Sequence, residues 1–149
     1  MNCIDWYEAE AFCIWDGGRL PTDAEWNYAA AGGTQQRAYP WGSAAPDCTY
    51  ANSSGCVGGA NRVGSESPKG DGLYGQADLA GNVWEWVQDW ANLYTNPCNN
   101  CASTTVSSGR MLRGGGFDSL AAYLLSSLRN GNYPSYRSHL GGGRCARTR

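Results

Sequence analysis

The chain has 149 residues, 42% hydrophobic and 16% charged, with a net charge of −2; that length suits one ordinary domain able to bury a core. A single Lys, a single His and no run of about 18 apolar residues exclude a nucleic-acid footprint, a metal centre built on several histidines and a membrane-spanning segment. Seven Trp and 21 Gly point to an ordered, loop-rich domain, and the opening residues, MNCIDWYEAE, lack the basic and apolar stretches of a secretory signal.

Two helices are predicted early. Asp5-Trp6-Tyr7-Glu8 has the form of a capping box, an acceptor at the N-cap and Glu three residues on. Trp6, Ala9 and Cys13, with Phe12 a further candidate, then share one face until Asp16-Gly17-Gly18 ends the helix. Thr22 and Glu25 repeat the box; Trp26, Ala29 and Ala30 make the second apolar stripe, and Gly32-Gly33 stop it. Residues 34–75 carry Pro40, Pro46, Pro68 and many Gly, Ser and Asn, and read as ordered loop anchored by Trp41, Tyr50 and Tyr74. Val83 to Trp90 alternates large and polar groups, which predicts a strand. Met111–Arg113 and Gly143–Ala146 read as further short strands, and Tyr123–Leu128 as a strand or a buried turn. No repeat or linker interrupts the chain, so residues 1–149 are expected to form one domain. Trp6, Trp26, Trp84, Trp86 and Trp90 are its expected core.

The seven cysteines stand at 3, 13, 48, 56, 98, 101 and 145. Disulfides, and with them an oxidising compartment, are the favoured reading over buried reduced thiols; the odd count leaves at least one thiol unpaired. Cys48 and Cys56 flank a Ser-, Asn- and Gly-rich step suited to a local bridge. Cys98-Asn-Asn-Cys101 suits a local structural disulfide, a redox pair or half a metal site, the first being preferred because one CxxC alone is weak for zinc.

Several strings arrive in a recognisable order: Gly18-Arg19-Leu20-Pro21-Thr22-Asp23-Ala24-Glu25-Trp26, Tyr39-Pro40-Trp41-Gly42, Gly72-Leu73-Tyr74, Leu79-Ala80-Gly81-Asn82-Val83-Trp84-Glu85-Trp86, Arg113-Gly114-Gly115-Gly116-Phe117 and Gly142-Gly143-Arg144-Cys145. Over nearly the whole chain this resembles the formylglycine-generating enzyme (sulfatase-modifying factor) domain family. The resemblance implies an α+β fold with little regular secondary structure, the C-type-lectin-like fold of the formylglycine-generating enzyme subtype. It also implies that an N-terminal part of the family domain is absent, and that Cys13 pairs with Cys145. Cys3 is then the leftover thiol, expected to be buried near the start of the first helix.

Members of that family oxidise a substrate cysteine with oxygen on copper(I) held by two cysteines, because copper(I) prefers soft sulfur. Position by position, those cysteines fall on Ser119 and Leu124, the active-site serine on Gly116 and an asparagine on or near Leu140. Trp84, Tyr123 and Arg129 do match family active-site positions. A hydroxyl and an isobutyl group hold no copper(I), so copper is not expected and no catalytic residue is assigned; the chain is read as a non-enzyme. Iron-dependent relatives need more histidines than the one present. Asp78, Gly81, Val83 and Glu85 match a calcium site of the family, with carboxylate and carbonyl oxygens as hard ligands. The alternative is that Glu85 pairs with an Arg and Asp78 caps a turn.

Residues 114–149 contain no Glu, Lys, Gln, Trp or Met, and one acid, Asp118. Asp118, Ser119, Leu120, Ala122, Tyr123, Gly131, Asn132, Tyr133, Tyr136, Ser138, His139, Leu140 and Gly141 are each reachable from the Asn codon AAC by changing only its adenines. The segment resembles the variable region of diversity-generating retroelement target proteins, which present ligand-binding residues on this same fold. Tyr, Ser and Asn also make adaptable contact surfaces. The sequence thus reads as a non-catalytic ligand-binding domain with residues 118–140 as its surface. Asp118, Ser119, Leu120, Tyr123, Asn132, Tyr133, Tyr136, Ser138, His139, Leu140 and Trp84 are the candidate contacts; an unknown protein or glycan is the expected partner, and the cysteine content favours an extracytoplasmic or cell-surface location for this chain. A copper-dependent oxidase and a calcium-stabilised structural or sugar-binding module are the alternatives.

Overall fold

The computed structural model describes residues 1–94 and 101–147. Its regular elements are two helices, α1 (Trp6–Trp15) and α2 (Asp23–Ala30), and four short strands, β1 (Trp84–Trp90), β2 (Arg110–Arg113), β3 (Asn130–Asn132) and β4 (Gly141–Gly143). The architecture is α+β with little regular secondary structure. Chain contacts divide it into two compact units, Met1–Trp26 with Glu85–Arg113 and Arg129–Arg149, and Asn27–Trp84 with Gly114–Leu128. No described helix is long and apolar enough to cross a membrane.

In the first unit both capping boxes form. Glu8 N–H donates to the Asp5 carboxylate at 3.0 Å, and Asp5 N–H donates to the Glu8 carboxylate at 3.0 Å. Glu25 N–H donates to the Thr22 hydroxyl at 3.1 Å while Thr22 N–H donates to Glu25 at 2.9 Å. Helix α1 buries Trp6, Ala9 and Cys13. Phe12, counted as a candidate for that face, is 39% exposed and lies against Trp15 instead, because one residue is about 100° of helical turn and position 12 falls to the side of the Trp6-Ala9-Cys13 arc.

The sheet has the order β3-β2-β1-β4, so β1 is interior. Its register sets Glu85 against Arg113 and Trp86 against Leu112, then shifts before Trp90 meets Arg110. The strand is nearly all buried, which accounts for its buried Glu85 and Asp89. Three buried indole N–H groups find acceptors: Trp6 donates to Val87 O at 2.8 Å, Trp26 to Glu85 at 2.7 Å and Trp86 to Ile4 O at 3.2 Å. Half-buried Trp90 and buried Trp6 sandwich the Arg110 guanidinium at 3.8 and 3.7 Å. Cys13 and Cys145 are bridged.

Two expectations are corrected here, and one unpredicted strand appears. The last strand is Gly141–Gly143 rather than Gly143–Ala146, because Arg144 turns its side chain onto Glu85 and Cys145 is held by its disulfide; Ala146 makes only an isolated bridge with Arg19. Asn130–Asn132, an Asn-Gly-Asn string with turn composition, is a strand because Arg110–Leu112 offers it a partner. Cys3 is exposed, not buried. The Cys98–Cys101 pairing lies outside the described residues.

In the second unit, loops are held by side chains in place of regular elements. Asn82, at φ 62°, is the knot. Its N–H donates to Asn52 O at 2.8 Å, its carbonyl accepts from Phe117 N–H at 2.8 Å, and its side-chain oxygen accepts from Asn61 N–H at 3.0 Å. Neighbouring Gly81 has φ +80°, and a Cβ there would fall 2.5 Å from Asn52 O, so this turn requires glycine. Cys48 and Cys56 are bridged as expected. Tyr123–Leu128 is not a strand: Ala121–Leu124 forms a 3₁₀ turn with Leu124 packed beside Ala51 and Ala80.

Candidate functional site

The segment Gly114–Leu128 of the second unit carries the two positions where copper-holding thiolates would stand. Ser119 is buried, 8% exposed. Its hydroxyl accepts from Gly116 N–H at 2.9 Å, its own N–H donates back to Gly116 O at 2.9 Å, and its carbonyl accepts from Ser54 N–H at 3.1 Å. Leu124 is 1% exposed in an apolar cluster flanked by Tyr39 and Trp41. One position closes a turn and the other fills a core; neither offers the soft donor copper(I) needs, and copper does not fit. Ser119 was also a candidate ligand contact, and its burial removes it from the surface. Trp84 is 8% exposed and meets the Tyr123 ring edge-on at 6.3 Å between centroids. Of the candidates in this unit, Asp118, Leu120 and Tyr123 stand exposed.

The calcium candidates are distributed over both units. In the second, Asp78 accepts from Gly64 N–H at 2.9 Å, Gly81 N–H donates to Gly114 O at 2.9 Å, and Val83 is half-buried. In the first, Glu85 is 5% exposed and both its oxygens are engaged. Arg144 donates to Oε1 and Oε2 at 2.6 Å each, and Trp26 donates to Oε2 at 2.7 Å. A carboxylate neutralised by a bidentate arginine does not fit a cation ligand. Among the described residues no three His, Cys, Asp or Glu side chains converge as a metal site.

The rest of the candidate surface lies in the first unit, on β3 and the chain after it. Tyr133 is 67% and Tyr136 43% exposed, His139 is exposed, and Asn132, Ser138 and Leu140 are half-buried. Local hydrogen bonds shape this stretch: Tyr136 N–H donates to Tyr133 O at 2.9 Å, and Leu140 N–H to the Ser138 hydroxyl at 3.1 Å. Asn132 and Tyr133 border an open groove of about 270 Å³ whose other walls are Ala91, Ser108, Gly109 and Gly131. The groove owes its depth to those small residues. At this sheet edge the N–H groups of Gly131 and Tyr133 are occupied by the side chains of Asn130 and Asn132, at 2.8 and 2.9 Å, which blunts the edge against strand addition.

One arrangement in the first unit went unread in the sequence. Asp23, 2% exposed, contacts Arg113 Nε and Arg129 Nε at 2.8 Å each. Arg113 is fully buried over the Trp26 ring, and burial pulls its pKa down. Arg129 also donates to Asn92 O and lies 3.8 Å over the Tyr94 ring. Asp89 accepts from Asp23 N–H at 2.7 Å and Ser103 N–H at 2.6 Å; burial holds its pKa above the ordinary carboxylate value. A small cleft, of about 30 Å³, adjoins these groups, lined by Asp23, Asp89, Leu93, Tyr94, Ser103 and Arg129 among others. Each charge faces an opposite charge or a backbone donor, so the cluster is structural: it ties α2 and β2 to the chain at residues 101–103. Its one sequence signal was an Arg within the apolar run Met111-Leu112-Arg113.

Comparison with known proteins agrees with this geometry. The model of the sulfatase-modifying factor enzyme 1-like domain matches residues 1–149. The chain is 34% identical to the formylglycine-generating enzyme of Mus musculus, over 96% of this chain and 42% of that protein. It is 35% identical to the hercynine oxygenase of Mycolicibacterium smegmatis, over 96% of this chain and 36% of that one. It thus spans less than half the length of these curated relatives. Among solved structures, Treponema denticola variable protein 1 superposes with a TM-score of 0.81 at 24% identity, over 96% of this chain and 69% of that one. PvdO from Pseudomonas aeruginosa does so with 0.82 at 25% identity, over 95% and 59%. With the family model matched over residues 1–149, this chain belongs to the family of sulfatase-modifying factor enzyme 1-like domains.

Proposed function

We propose that this chain is a non-catalytic ligand-binding domain on the family scaffold, with its ligand contacts among the exposed residues of 118–140. One observation carries the reading. Of the thirteen positions reachable from an AAC codon, eight are exposed and three half-buried. Of the eleven framework positions between and around them, Gly114, Gly115, Phe117, Ser126 and Gly142 are buried, Arg129, Pro134, Arg144 and Cys145 half-buried, and only Ala121 and Arg137 exposed. Positions open to such variation are thus largely positions where variation leaves the core intact. The ligand is a protein or a glycan, met by Tyr123, Tyr133, Tyr136 and His139 as adaptable rings. Two disulfides among the described residues suit an oxidising, extracytoplasmic setting.

The relatives' oxidase chemistry is not retained, since the thiolate positions hold Ser119 and Leu124. Codons 111–149 sequenced across the source population test the proposal. Changes confined to adenine positions of a near-copy in neighbouring DNA are expected; an invariant segment with no such copy overturns the variable-surface reading. Separately, a cysteine peptide incubated with the protein, copper(I) and oxygen is expected to keep its mass. Loss of the thiol mass with gain of an aldehyde would restore the oxidase.

A further inference from the structure

The groove beside β3 combines small walls, a neutral lining and a polar rim. Its six lining residues, Ala91, Ser108, Gly109, Gly131, Asn132 and Tyr133, include no charged side chain. Glycine keeps it open. A Cβ on Gly109 would fall 2.9 Å from Asn132 O, and one on Gly131 would fall 2.9 Å from the Ala91 Cβ, so any larger residue at 131 presses into the opposite wall. The Arg110 guanidinium, next in the chain to Gly109, is engaged elsewhere, between the rings of Trp6 and Trp90 and on Gln88 O at 2.6 Å. The rim is rich in donors. Asn132 Oδ1 accepts from Tyr133 N–H at 2.9 Å, which leaves the Asn132 Nδ2 hydrogens over. The exposed Ser108 hydroxyl and the Tyr133 phenol likewise have no partner among the described residues.

We propose that this groove is a subsite for one neutral sugar ring, a pyranose unit of a glycan, and that the residue at 131 sets which ring it admits. The inference rests on reading residues 118–140 as the ligand surface, and names the ligand class for one part of it. Polarity, charge and size select the occupant. An apolar side chain seated here would strip water from three donors and return no acceptor, leaving each unpaired. A ring bearing hydroxyl groups returns acceptors to the Ser108, Asn132 and Tyr133 donors, while its C–H face lies on the apolar surface of Ala91, the glycines and the aromatic ring. The lining offers no cation for a carboxylate, sulfate or phosphate, so the ring is neutral. The volume of about 270 Å³ lies just below the roughly 300–1,000 Å³ of sites for drug-sized ligands, which suits a single ring. An extended peptide fits this edge poorly, since the N–H groups it would need, on Gly131 and Tyr133, already serve Asn130 and Asn132. Gly131 is also one of the positions reachable from an AAC codon, as are Ser and Asp there. Variation at 131 thus changes the width of the groove at an exposed site and leaves the buried framework alone.

The test is titration of the ¹⁵N-labelled chain with the methyl glycosides of glucose, galactose, mannose, fucose, xylose and N-acetylglucosamine, read from backbone amide shifts. Methyl glucuronide serves as an acidic probe and isobutanol as an apolar one. Saturable shifts at Ser108, Gly109, Gly131 and Tyr133 with at least one neutral glycoside are expected, with a dissociation constant on the order of millimolar for so small a ligand. Tyr133→Ala, which removes an exposed ring, and Gly131→Ser, which narrows the groove, are each expected to weaken that binding about tenfold while keeping the melting temperature. No saturable shift at these amides with any neutral glycoside overturns the proposal. So does equal binding by both variants, or tighter binding of the glucuronide or of isobutanol than of every neutral glycoside. The codon test reads separately. Varying codons without sugar binding overturn this inference alone and leave the surface to a protein ligand. Sugar binding with invariant codons supports the subsite and overturns only the variable-surface reading.

Discussion

At the residue scale the molecule is governed by a few buried charges. Asp23 is held between Arg113 and Arg129, and removing it leaves the fully buried Arg113 guanidinium without its partner. Asp23→Asn is expected to cost about 3–5 kcal/mol, read as a lower midpoint in urea unfolding with unchanged slope. Two carboxylates give opposite pH dependences. The Arg19 guanidinium, donating to Glu25 at 2.6 Å, is the largest of the causes that lower the Glu25 pKa to about 2. Its contribution is therefore complete above the unfolded value of 4.5 and is lost as pH falls from there towards 2. Asp89 is raised by burial from 3.8, so the native state there holds the proton more tightly, and its contribution shrinks as pH rises from 3.8 through the native value. Denaturant titrations from pH 2 to 6 are expected to show acid loss of stability that Arg19→Gln reduces. Asp89→Asn should remove a component of opposite sign.

At the element scale, the 3₁₀ turn Ala121–Leu124 decides the chemistry. It turns Leu124 into the Ala51–Ala80 cluster and leaves Tyr123 and Leu120 outside, at 46% and 65% exposure. Leu124→Ala is expected to cost about 2–5 kcal/mol as a core truncation. Tyr133→Ala, on an exposed ring bordering the groove, should change stability by less than about 0.5 kcal/mol while altering any ligand contact made there. Thermal and chemical melts of the two variants, side by side, check both. This contrast shows what the sequence made legible at this scale. Both capping boxes were readable because a cap is a local bargain among four consecutive residues. Strand β3 was not, because Asn-Gly-Asn has turn composition and becomes a strand only through the pairing offered by Arg110–Leu112. The length of β4 was misread for a related reason: Arg144 and Cys145 are drawn away by partners distant in the chain.

At the scale of the whole molecule, cross-links and side-chain knots stand in for regular structure. The Cys13–Cys145 bridge joins residues 132 apart, so its removal is expected to cost about 4–5 kcal/mol in the chain-entropy model. A Cys13→Ala/Cys145→Ala variant melting as high as the parent would contradict this. Calcium is expected to contribute nothing, because Glu85 already serves Arg144 and Trp26; a chelator should leave the melting temperature unchanged.

What the sequence determined by itself was local or covalent. Helix starts, the cysteine spacings and the absence of thiols at Ser119 and Leu124 are properties of residue identity. They sufficed for the family and for doubting its chemistry. Only the tertiary structure decided which side chains of 118–140 face solvent, that Glu85 is spent on Arg144 rather than left for a cation, that Cys3 is exposed, and that Asp23, Arg113 and Arg129 meet in one cluster. The physical reason is range. A cap or a turn is settled within a few residues, whereas the buried charge of Asp23 is placed by a partner 106 residues away, and its energy exists only once folding has removed the water between them.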